Sequence, residues 1–238
     1  MNLWERAVGV AGNHGRLPPR CRIRDGLGLD RLPPAMPATE SGTYRVLPGS
    51  PETGTGDLTL LERGTEEPIF VRADGYDDDL QATVDDLGPG NLIAATVEWP
   101  AEGRPVLTEV TVETETVFEF VDDADHVFEQ AERTFEQGLR EQTPIAANTT
   151  YSTDGEPNGA LYTFAKQDGE KDIFAELRDG RMTLEPMIDR LGDGDAEPPY
   201  EVFVIRPVEA RFVIVFLTVE PESLLPNTIR DEYDRPRA

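Results

Sequence analysis

His126 is the one histidine after Met36, and it lies among Asp122, Asp123 and Asp125 near the start of a helical repeat. An imidazole beside a carboxylate is the pairing of a general base with its orienting acid, so any Ser-His-Asp triad after Met36 must use this residue. The same neighbours also describe a solvated histidine on an acidic face, because proximity to acids alone does not make a base. Cys21 is the only cysteine and His14 the only other histidine, which excludes disulfides within the chain and zinc sites built from clustered His and Cys. Ser50, in Gly49-Ser50-Pro51, lacks the glycine spacing of a nucleophile elbow. Gly49 to Gly54 has the glycine spacing of a phosphate loop, but Thr55 stands where its lysine belongs. Both stretches read as turns.

Carboxylates are too common here to mark a site by themselves. Asp74, Asp77, Asp78 and Asp79 form one run and Asp193, Asp195 and Glu197 another, and neither follows the calcium-loop pattern with its glycine and terminal glutamate. A glycosidase or a magnesium-dependent nuclease needs carboxylates at defined separations, which spacing in sequence does not supply. No catalytic residue, metal or cofactor is therefore assigned, and a non-catalytic role is favoured over an enzyme.

Positive groups are scarce, which makes their positions informative. Lys166, Arg206 and Arg211 flank apolar strand-like segments, and the polar loop from Asp154 to Gly159 offers Asp154, Glu156 and Asn158. Were these groups to converge, they would form a site for an anion or a phosphate. The alternative is pairing with neighbouring acids across a sheet. Trp99 and Tyr76 are the aromatics to test for stacking on a nucleic-acid base.

Those residues belong to a chain of 238 with 47 Asp plus Glu against 22 Lys plus Arg, a net charge of −25, and only two lysines, Lys166 and Lys171. Self-repulsion of this size opposes a compact state in dilute buffer, whereas at molar salt the Debye length shrinks to about 3 Å. A carboxylate-rich, lysine-poor surface also stays hydrated in brine. The composition thus predicts a halophilic, cytoplasmic protein with an acidic surface. No run approaches the ~18 apolar residues of a membrane helix, so no membrane partner is expected.

Residues 1–37 differ in character. Arg6, Arg16, Arg20, Arg22, Arg24 and Arg31 outnumber their acids, and no periodic run develops. They read as a disordered leader or as residues ahead of a translation start at Met36; a basic arm for an acidic partner is the alternative. Arginines spread singly make a weak phosphate clamp.

From residue 38 the periodicity predicts an α+β protein. Residues 38–122 read as a β-rich domain: strands at Tyr44–Leu47, Leu58–Leu61 and Ile69–Arg72, a short helix opening at Asp77, a strand from Asn91 to Trp99, and a long or bent strand from Val106 to Phe120. Three strands, a helix and two strands is the order of elements in an OB-type barrel, so a small antiparallel barrel or curled sheet is expected. Residues 123–238 read as an α+β domain with an antiparallel sheet and packed helices: a helix from Asp125 to Gln142, a hairpin around Asp154–Gly159, helices ending at Gly180 and Gly192, and a final strand pair at Tyr200–Arg206 and Arg211–Val219. The last strand is apolar on both faces and should be central.

The runs from Gly42 to Leu47, Gly75 to Val84, Asp154 to Tyr162 and Asp172 to Gly180 resemble a haloarchaeal protein family defined only as a domain of unknown function, over about residues 38–233. That resemblance implies a salt-rich habitat and a start at Met36, and it carries no catalytic residues. Two functions follow as alternatives: a non-catalytic binding or interaction module, with a protein or an anionic ligand as partner, and an OB-type protein that binds single-stranded nucleic acid.

Overall fold

The computed structural model describes residues 38–49, 57–166, 171–192, 197–219 and 224–233. The basic stretch 1–37, Ser50, Gly54, Thr55, Asp193 and Asp195 lie outside them.

Alternation of period two builds the first sheet from β1 (Ala38–Leu47), β2 (Asp57–Glu62), β3 (Pro68–Arg72), β4 (Leu92–Trp99) and β5 (Val106–Thr114), in the order β3-β2-β1-β4-β5. Every pairing is antiparallel, and β1 serves two neighbours: Ala38 to Arg45 face β4, and Tyr44 to Leu47 face β2. One face closes on Tyr44, Val46, Leu60, Val71, Ile93, Ala95, Val97 and Leu107. Helix α1 (Asp78–Asp85) adds Leu80 and Val84 to this core. Asp77 accepts from the Leu80 N–H as its N-cap, and Asp78 and Asp79 occupy its first turn, where the helix dipole favours negative charge. The sheet curls until the Arg72 N–H donates to Pro105 O at 3.1 Å. No ladder joins β3 to β5, so the sheet is open and the expected barrel is not closed.

The second sheet comprises β6 (Val117–Ala124), β7 (Ile145–Tyr151), β8 (Pro157–Ala165), β9 (Glu201–Pro207) and β10 (Phe212–Thr218), in the order β6-β9-β10-β8-β7. The β6–β9 pair is parallel and the others are antiparallel. All seven residues of β10 are buried, as its apolar pattern predicts. The expected single strand from Val106 to Phe120 is in fact two. It breaks at Glu115-Thr116, and β6 leaves for the second sheet, where Val117 N–H donates to Tyr200 O and Phe118 N–H to Pro89 O. Val110, Val112, Phe118 and Phe120 stay in phase across the break, so the period conceals it. The change of sheet thus falls before β6, inside the residues that the pattern assigns to the first half.

Helices cover both faces of the second sheet. On one side, α2 (Glu129–Glu141) and α5 (Leu224–Glu232) pack over Leu161, Phe203, Ile205, Ile214 and Phe216. On the other, α3 (Ile173–Arg178) and α4 (Glu185–Gly192) pack over Tyr162, Phe164, Val202, Val204, Val213 and Val215. Leu47 and Leu61 of the first sheet join that second cluster, so the outer side of β1 and β2 is buried against the second half. Nothing after Val219 marks α5 in the sequence, because Pro226 sits in its first turn, where a missing N–H is tolerated.

Charges are buried at two joints. Arg45 on β1 donates to Glu185 of α4 at 2.7 Å and to Gly90 O at 2.7 Å, and Arg63 stands 3.5 Å from the same carboxylate. Arg230 on α5 donates to Glu119 of β6 at 2.7 Å and pairs with the fully buried Glu201 of β9. Gly90 has φ +100°, and a Cβ there would lie 2.5 Å from Phe118 N. Only glycine fits both the left-handed backbone and that approach.

Candidate functional site at the β7 edge

The β7–β8 hairpin ends the second sheet, and its register decides which backbone groups remain free. Ala165 N–H donates to Pro144 O, so the residues of β7 that bond to β8 are Ala146, Asn148 and Thr150. Ile145, Ala147 and Thr149 therefore direct N–H and C=O outward. The Thr143 hydroxyl donates to Ile145 O at 2.8 Å and lies 3.4 Å from its N–H, which caps that end of the edge. Ala147 and Thr149 have no such cap among the described residues, and both are exposed.

Beside this edge lies a cleft of about 710 Å³. Ala147, Thr149, Ala160 and Tyr162 lie on one face of the hairpin, with Tyr151 at one end and Arg190 and Leu191 of α4 above. Among the described residues that line it there is no Asp or Glu. Among the described residues its one charged lining residue is Arg190, which is exposed and has no ion pair among them. The described wall of the cleft is thus uncharged apart from Arg190. A carboxylate or phosphate placed there meets the Arg190 guanidinium.

The residues singled out from sequence fall elsewhere, with one exception. Asp154 and Glu156 are exposed at the hairpin tip, where Ser152 N–H donates to Glu156 O at 2.8 Å and Gly155 N–H to Ser152 O at 3.0 Å. Asn158 begins β8 near the cleft, and its Oδ1 is buried without a hydrogen-bond partner. Lys166 and Arg211 meet at the opposite end of β8, roughly 25 Å from the tip, where Lys166 N–H donates to Arg211 O. Convergence of the cations on the Asp154 loop is therefore not the arrangement found. Lys166 Nζ donates to Pro207 O at 3.3 Å and Ala210 O at 3.0 Å, and burial pushes its ammonium below the usual lysine value. Arg206 is held bidentately by Asp122, reaches Asp172 as well, and stacks 4.7 Å over Phe174. That hydrogen bond holds the Asp122 carboxyl below the ordinary carboxylate range. Asp172 also caps α3, so Arg206 locks β6, β9 and α3 together instead of facing solvent for a ligand.

Tyr76 is likewise structural: its hydroxyl donates to Arg72 O and accepts from Leu107 N–H at 3.3 Å, and burial raises its phenol pKa. Trp99 is 36 % exposed at the end of β4. The arginines of that half are taken, Arg72 by Asp74 and Arg104 by Asp57. His126 stands 2.9 Å from Glu232 and stacks on Tyr233 at 5.2 Å, while its neighbour Asp122 serves Arg206. Among the described residues no group of three or more His, Cys, Asp or Glu gathers as a metal site, and no helix is long and apolar enough to cross a membrane.

The cleft residues were missed by motif. One signal for them exists in the sequence: residues 143–153 carry no charge, in a chain where 29 % of residues do.

Fold and site together define a mixed α+β protein of two antiparallel-rich sheets and, among the described residues, five helices, with a cleft beside an open sheet edge. Residues 36–238 match the Family of unknown function (DUF6663), and the chain belongs to that family. No curated protein and no solved structure matches it.

Proposed function

We propose that this is a non-catalytic binding module of a halophilic cytoplasm, and that its ligand site is the cleft beside β7. The observation that carries this is the described lining: an arginine without an ion pair among the described residues, and no carboxylate among them, beside the open edge of β7. Arg190, which has no ion pair among the described residues, is the group offered to an anion. The halophilic setting rests on the acid excess and on the two lysines.

An OB-type scaffold is favoured by a specific observation: β1 shared between two neighbours, α1 between β3 and β4, and the Arg72–Pro105 hydrogen bond between the edges. Nucleic-acid binding on it gains nothing, since Leu47 and Leu61 are buried against the second half and the nearby arginines are paired with acids. The first half thus acts as scaffold for the second.

Titration of isotope-labelled protein with acetate, glutamate and inorganic phosphate, followed by amide shifts, tests the binding role. Shifts gathered at Ala147, Thr149 and Leu191, and lost in Arg190→Glu, are expected. Shifts scattered over the surface, or unchanged by Arg190→Glu, would refute it.

A further inference from the structure

We infer that the ligand of this cleft is an extended peptide carrying an acidic side chain, which adds to the second sheet as a strand along β7. The inference rests on the cleft being the binding site and adds the form of the ligand. Its ground is the backbone: Ala147 and Thr149 present N–H and C=O groups outward, exposed and unpaired among the described residues, while Thr143 closes the edge at Ile145. A small anion satisfies Arg190 and leaves these groups to water. A strand satisfies both at once, because main-chain hydrogen bonds supply affinity and alternate side chains fall on one face of the sheet.

That face is the one carrying the cleft. Ala147 and Thr149 line it beside β7, so every second side chain of an added strand lies next to them, under Arg190 and Leu191. Natural edge strands are shielded by charge, proline or bulges. From Thr143 to Thr153 β7 and its flanks have no charge, and the one proline, Pro144, precedes the strand at the capped end. A bulge lies only at Thr150/Tyr151, past the open groups. The edge is open where the cleft is, and Arg190 selects an acidic residue in the added strand by charge.

The probe is an acetylated, amidated peptide of about seven residues, an ordinary strand length, alternating valine and threonine around a central glutamate. Two controls carry lysine for glutamate, or N-methyl groups on alternate amides. Full-length protein is titrated by fluorescence anisotropy, and amide exchange is followed at Ala147 and Thr149. Expected are binding of the glutamate peptide, protection of those two amides, and weakening by about tenfold or more in Arg190→Glu and in Ala147→Pro. Ala147→Pro removes an outward donor and leaves the β7–β8 ladder intact, so folding is retained. If the N-methylated peptide binds as well, or Ala147 and Thr149 still exchange freely, strand addition is wrong; loss of affinity in Arg190→Glu would then leave the cleft as the site. If neither peptide nor simple anions perturb the cleft, both readings fall. A dimer in sedimentation that Ala147→Pro dissociates would make a second copy the occupant and overturn the peptide.

Discussion

Replacing Arg230 with methionine isolates the cost of a buried charge from the effect of salt. Arg230 is 5 % exposed and serves two carboxylates: Glu119 at 2.7 Å and Glu201, which is fully buried. Removing it leaves both acids without their cation, in a site closed by Phe203 and α5. Breaking a buried pair from one side costs about 3–5 kcal/mol, because the orphaned charge pays its desolvation without return. For a protein of this size each kcal/mol is about 2–4 °C in Tm, so Arg230→Met should melt about 6–20 °C lower. Adding Glu201→Gln removes the stranded charge at its source, and the double variant should recover more than half of the loss. Screening by ions reaches exposed charges and not these, so the deficit should be nearly the same at low and at molar KCl. The assay is denaturant unfolding at several KCl concentrations for wild type, single and double variants. A loss under about 1 kcal/mol, or one that molar salt erases, would refute the buried triad.

Asp122 gives an acid-side test. Its folded pKa is depressed by Arg206, so its contribution is present above the unfolded value near 4 and is lost as pH falls through the depressed one. Asp122→Asn should lose about 1 kcal/mol at neutral pH, a figure discounted for its exposure, and flatten the acid limb of denaturant midpoints against pH. Tyr233 gives the alkaline test: burial, aided by Glu232, pushes its phenol up to about 12. The neutral phenol's stability is whole below pH ~10 and is lost as pH rises toward the folded value, at up to about 1.4 kcal/mol per pH unit. Tyr233→Phe should remove that decline in stopped-flow unfolding. Gly90→Ala should cost at least about 2 kcal/mol, since φ is +100° and the new Cβ meets Phe118 N and Thr116 O; equal stability by calorimetry would contradict the geometry. Removal of KCl should lower Tm steadily, and a flat or rising Tm would refute the halophilic proposal.

Local chemistry was legible wherever it is settled between near neighbours. Asp77 at the head of α1 and Gly180 after α3 mark helix ends, and Glu129 pairs with Arg133 at four residues' offset. Arg140, at the same offset from Glu136, bonds to the Glu136 main-chain carbonyl and not to its carboxylate, a choice of rotamer that spacing does not fix. The apolar run of β10 required a position covered on both faces, and the β-then-α change of period required two kinds of layer. Partners distant in sequence were not legible. Asp122 meets Arg206, Arg45 meets Glu185 and Glu201 meets Arg230 only because strands from separate segments are laid side by side. The pattern that makes Val106 to Phe120 one strand is equally satisfied by two strands in two sheets, and Gly90 against Phe118 decides it. The site follows the same rule. The uncharged run 143–153 is written in the sequence, but its meaning depends on β7 lying at an edge and on Arg190 of α4 standing over it. Hydrogen-bond register and strand order, which determine what is left unpaired, exist only once the chain has closed on itself.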